Sequence, residues 1–181
     1  MSEIITSKSL WREAGIAGLV LGGVAVILPL ISSVIPSSSN AMLSLLFSIV
    51  KFALWLAKFA GCIWLVRYFM LKLVKKYDEV DNTSTFNFGM ASSFLSALIV
   101  SAVGLLQSVR MDKDIFISEV TSSMREYGAP LDSNTMAMLE KISDNMPTIT
   151  FFSSLIYCFI FGVIVSYIWS RNIPAKDPFA K

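Results

Sequence analysis

Two lysines stand inside the longest apolar stretch of the chain, and they have the most chemistry to offer. The stretch runs from Ala41 to Val66 and is mostly Leu, Ile, Phe, Val, Ala and Trp. Lys51 and Lys58 interrupt it, and a basic cluster, Arg67, Lys72, Lys75 and Lys76, closes it. With Arg67 at the lipid headgroups, Lys58 falls nine residues deeper, about 14 Å at ~1.5 Å per residue, which is near a bilayer midplane. A lysine at a helix centre costs ~2.5–3.5 kcal/mol on insertion scales and usually faces a bundle interior or a wet cavity. No acid lies in any apolar run to pair with it, so a lipid phosphate, a partner's carboxylate or water must solvate it. Lys58 is therefore the candidate ligand-binding residue. The rival reading is a side chain that snorkels to the surface, and that reading suits Lys51, one or two turns further out, better.

Other chemistry is sparse. Histidine is absent from the 181 residues, which removes the commonest general base and the commonest metal ligand together. Cys62 and Cys158 both lie in apolar runs, where a free cysteine behaves as a small hydrophobe; no disulfide framework follows from two. There is no metal-ligand cluster, no nucleophile–base pair and no Gly-rich phosphate loop, so neither an enzyme nor a cofactor is expected. A net charge of +2 with no basic stripe argues against a nucleic-acid partner. The basic cluster fits contact with anionic headgroups, at about 1 kcal/mol per charge.

The elements that position these residues follow from hydropathy. At 55% hydrophobic and 15% charged, with a mean hydropathy of +0.66, the chain is too apolar for an ordinary soluble domain. Four spans are expected, at about 14–31, 41–66, 86–106 and 148–169, in a single membrane domain covering 1–181. The competing reading of the first is a secretory signal peptide running into the Pro36–Ser39 turn. Small residues recur at close-packing intervals: Gly18 and Gly22 in the first span, Ala53, Ala57 and Gly61 in the second, Gly89, Ser93, Ala97 and Ser101 in the third, and Ser154, Cys158, Gly162, Ser166 and Ser170 in the fourth.

Residues 107–146 read as a helical cap. Phe116, Val120, Met124 and Tyr127 have amphipathic spacing, which predicts that the third span continues outward as a helix ended by Gly128-Ala129-Pro130. A short second helix is capped by Asp132, with Leu131 and Met136 as a hydrophobic staple, and packs Leu139, Ile142 and Met146 against the first. Pro147 then opens the last span. Ser84 or Thr85 is the expected N-cap of the third.

Orientation follows from the positive residues. With both termini cytoplasmic, Lys8, Arg12, Arg67, Lys72, Lys75, Lys76, Arg171, Lys176 and Lys181 lie inside. The outer link keeps only Arg110, Lys113, Arg125 and Lys141, among seven acids.

Taken together, the chain resembles a family of small four-span inner-membrane proteins of Gram-negative bacteria grouped as a domain of unknown function. The resemblance covers nearly the whole chain. It rests on Phe86-Asn87-Phe88-Gly89 at the opening of the third span, the outer segment from Met124 to Gly128, and Gly162-x-x-x-Ser166 followed by basic residues. It implies four spans, no established activity, and a genomic setting near polyprenyl-phosphate-type glycosyltransferases that suggests a partner.

The fold expected is an all-α, four-helix transmembrane bundle with a small extracytoplasmic helical cap. The function expected is an accessory or scaffolding subunit in the bacterial inner membrane, touching membrane lipids and binding another membrane protein, or itself, through the small-residue faces. The alternative is a small, oligomeric transporter or flippase-like protein handling an anionic substrate or lipid headgroup through Lys58.

Overall fold

The computed structural model describes residues 5–34, 41–77, 80–128 and 132–173, and these form five helices. They are α1 (Ser7–Val34), α2 (Ala41–Lys76), α3 (Asn82–Val109), α4 (Lys113–Glu126) and α5 (Ser133–Asn172). Four of them, α1, α2, α3 and α5, are long and apolar enough to cross a membrane. The Pro36–Ser39 turn, Leu131 of the expected staple, Ala129-Pro130, Lys176 and Lys181 lie outside the described residues.

Local chemistry sets the helix starts. Thr6 and Ser9 cap α1 reciprocally: the Thr6 N–H donates to Ser9 Oγ at 2.9 Å and the Ser9 N–H to Thr6 Oγ1 at 3.3 Å, which satisfies two of the unpaired amides of a helix start. The cap of α3 is Asp81, one turn earlier than the expected Ser84 or Thr85. Its Oδ1 accepts from the Ser84 N–H at 2.7 Å, and its carbonyl accepts from the Thr85 N–H. Asp132 caps α5 as expected, accepting from the Thr135 N–H at 2.7 Å. Lys75 and Lys76 close α2, favourably placed against the negative end of its dipole.

Two expected boundaries are corrected. The third span does not run on into the amphipathic helix, because the chain turns at 110–112. Asp112 is extended there (φ −71°, ψ 119°) and caps α4 by accepting from the Asp114 N–H. Nor does Pro147 open the last span. It lies within the 40-residue α5, so the short cap helix and the fourth span are one helix. Proline's fixed φ is helical, and what it removes is one N–H donor, which leaves the Ser143 carbonyl without its helix partner.

The chain divides into two compact units, residues 1–100 with 156–181, and residues 101–155. In the first, buried side chains recur at helical spacing: Ala14, Ala17 and Leu21 on α1; Val66, Met70 and Leu73 on α2 and, just past it, Tyr77; Phe88 and Ala91 on α3; Val165 on α5 and, just past it, Ile173. Their distribution is lopsided. No described residue of α2 before Val66 is buried. The tight core gathers where Glu13 pairs with Lys76 at 2.5 Å, tying the start of α1 to the end of α2.

In the second unit Lys113 of α4 pairs with Asp144 of α5 at 2.6 Å, beside a cavity lined by Phe116, Met146 and Pro147. Phe116, Val120, Met124, Ile142 and Met146 are half-buried and Leu139 is buried. Tyr127 is not part of this packing. At 85% exposed it sits past the last turn of α4, where Gly128 takes φ +67° and ends the helix.

Candidate functional site

The small-residue faces find their partners inside the chain. A Cβ on Gly18 of α1 would sit 2.7 Å from Leu95 Cβ and 2.9 Å from the Ser92 carbonyl oxygen, and one on Gly22 would meet Ile99. Gly89 on α3 admits Ser166 of α5 and the tip of Met70 of α2, and Gly162 on α5 admits Ser93 of α3. The ladders of α3 and α5 thus run antiparallel, one turn matching one turn. Ala97 and Ser101 are buried, and in the second unit Gly104 faces Thr150 and Ser154. On α1, α3 and α5 the narrow faces let helix backbones approach each other within the chain. The row on α2 is different. Ala53 and Ala57 are exposed, and nothing lies near a Cβ on Gly61.

Lys58 lies where the packing loosens. With Phe59, Cys62, Ile63 and Val66 it forms one face of α2, and that face walls a crevice of about 100 Å³ completed by α1, α3 and α5. Ser93, Ser96 and Val100 come from α3, Leu21 and Ala25 from α1, and Tyr157, Cys158 and Phe161 from α5. Phe59 meets Phe161 edge-on with ring centres 5.6 Å apart, which closes one wall. Lys58 also borders a second cavity of about 150 Å³ between α1 and α2, with Lys51, Trp55, Pro29 and Ser32. The two lysines are seven residues apart on one face, about 10 Å along the helix. Among the described residues no acid lines either cavity, and neither lysine forms an ion pair. Ser93 is 4% exposed, and its hydroxyl has no hydrogen-bond partner among the described residues.

Lys58 stands well along α2 from the charged residues that close that helix. Glu13, which directly precedes the apolar run of α1, shares a small cleft with Lys72, Lys76 and Phe88, so that level marks one edge of the apolar layer. Lys58 is fourteen to eighteen residues along α2 from Lys72 and Lys76, about 21–27 Å. The guanidinium of Arg67 stacks over Trp169, 4.7 Å from the ring centre, a cation–π contact that partners its charge.

The basic cluster is divided by its contacts. Lys76 is held by Glu13 and Arg67 by Trp169, whereas Lys72 and Lys75 are exposed and remain available to headgroups. The sequence gives little hint of the Glu13–Lys76 tie or of the crevice walls on α1 and α3. One signal was available: Cys62 follows Lys58 by four residues, which puts thiol and ammonium on one helix face. Among the described residues no group of His, Cys, Asp or Glu is arranged to hold a metal.

The all-helical fold and its four long apolar helices place the chain in the class of multi-pass membrane proteins. No protein-family model, curated protein or solved structure matches it.

Proposed function

We propose that this protein binds an anionic ligand through Lys58, as a small transporter or flippase-like protein of the bacterial inner membrane with both termini in the cytoplasm. One observation carries the reading: an ammonium within a membrane span borders two interhelical cavities that contain no acid. A buried or half-buried cation needs a counter-charge or water, and these cavities offer an anion the place. Arg67 has found an aromatic ring and Lys76 a carboxylate; among the described residues Lys58 has neither.

Lys58→Met tests this. It should insert and fold as well as the parent, since a costly central charge is removed. Thermal stabilisation of the detergent-purified protein by added phosphatidic acid should disappear, while Lys51→Met should weaken it less. Equal stabilisation of parent and Lys58→Met would contradict the proposal. Orientation is tested separately. A single cysteine at Ser122, with Cys62 and Cys158 removed, should react from the periplasmic side of intact cells; reaction only after the inner membrane is opened would reverse the topology.

A second reading, an accessory subunit of a membrane complex, draws on the open Ala53, Ala57 and Gly61 row of α2. The resemblance to four-span inner-membrane proteins suggests a polyprenyl-phosphate-type glycosyltransferase as the partner. That reading requires α2 to meet another protein or a second copy of this chain, and it is compatible with a lipid-binding crevice on the other side of α2.

A further inference from the structure

We infer that the occupant of the Lys58 crevice is one chain of an anionic lipid, with its phosphate between Lys58 and Lys51 and its tail running toward Val66. This rests on the reading of Lys58 as the anion-binding residue and adds the chemical class of the ligand.

The walls argue for a lipid. Below Lys58 the crevice is bounded by Phe59, Ile63 and Val66 of α2, Leu21 of α1, and Phe161 and Val165 of α5. A small hydrated anion drawn in there would give up its water for one ammonium and a few hydroxyls, and an unpaid desolvation of that kind is costly. A lipid keeps its charge at the mouth and contributes only its chain to the apolar part, which is favourable at about 25 cal/mol per Å² buried.

Size narrows the choice. About 100 Å³ is less than the ~150 Å³ of an apolar cavity that admits benzene. The space therefore suits a segment of a single chain.

Depth agrees. Measured along α2 from the Glu13–Lys76 tie, Lys51 stands seven residues beyond Lys58, toward the opposite leaflet, and the two share one cavity. A phosphate at the headgroup level of that leaflet meets Lys51 first and Lys58 just beneath it.

The native thiols report occupancy, because Cys62 and Cys158 both line the crevice and are free. The full-length protein is reconstituted in phosphatidylcholine nanodiscs, with or without phosphatidic acid, and alkylation by N-ethylmaleimide is followed by intact mass. At nine-tenths occupancy, phosphatidic acid should slow alkylation roughly tenfold. Inorganic phosphate in the buffer of phosphatidylcholine discs should leave the rate unchanged. Lys58→Met should raise the half-protecting fraction of phosphatidic acid roughly tenfold to a hundredfold, as expected on losing a charge-assisted contact. Val100→Phe keeps the cation but narrows the crevice, and should abolish protection.

Each contrary result is decisive. Protection by inorganic phosphate equal to that by phosphatidic acid overturns the lipid and leaves the anion site standing. Equal rates in discs with and without phosphatidic acid, with phosphate also inert, overturn both. Protection that Lys58→Met does not change removes the lysine from the site.

Discussion

Glycine shows how much a single position in this chain is worth. At Gly162 an added methyl would fall on Ser93, so Gly162→Ala forces α3 and α5 apart and should cost about 1–3 kcal/mol, the usual range for overpacking. Gly61 has the same side-chain volume to gain and nothing in the way. Gly61→Ala should be neutral or add up to about 1 kcal/mol of helix propensity. Thermal unfolding of both variants in one detergent checks the pair, and equal losses would mean that Gly61 also faces a neighbour. The capping aspartates give a pH signature. Hydrogen bonds from Ser84 to Asp81 and from Thr135 to Asp132 hold both carboxyls below the ordinary aspartate range. A lowered folded pKa stabilises the helix start wherever the unfolded group is ionised, above about pH 4, and that contribution fades as pH falls through the folded value. Amide protection at Ser84 and Thr135 should therefore be level from neutral pH down to about 5 and decline below about 4. Protection that fell near neutral pH would assign these caps to another group.

At the scale of elements, Pro147 makes the sharpest test. It sits within α5 beneath the Lys113–Asp144 pair and withholds one backbone hydrogen bond, a defect that costs up to ~3 kcal/mol in a helix interior. Pro147→Ala should raise the melting temperature without changing the helix content read by circular dichroism. A lower melting temperature would show that the proline sets a bend the packing needs. The same residue shows what could and could not be read from sequence. Four apolar runs and their small-residue ladders were legible because composition and spacing report them directly. The join at Pro147 was not, since a proline reads equally well as a first-turn residue or as an interior one. The separation of α3 from α4 was missed for a related reason: Asp112 carries a cap signal, but amphipathic spacing on both sides hid the turn. As for the site, Lys58 stood out as the deeper of two cations in an apolar run that holds no acid. The crevice around it arises from where four helices part company, and no local pattern encodes that.

In the whole molecule, the buried core and the lysine crevice occupy opposite stretches of the same helices. α1 and α2 are tied at the Glu13–Lys76 level and closely packed as far as Leu21 and Val66. Beyond that α2 contributes no buried side chain among the described residues. Tight packing in one stretch holds the helices together, and loose packing in the other leaves room for a ligand beside Lys58. Native mass spectrometry of the protein released from its own membranes in a gentle detergent tests that division of labour most directly. The parent should carry one retained anionic-lipid mass that survives moderate activation. Lys58→Met should fly as the same folded protein without it. An adduct retained equally by both, or absent from the parent at every activation energy, would contradict the assignment of Lys58 as the anion-binding residue.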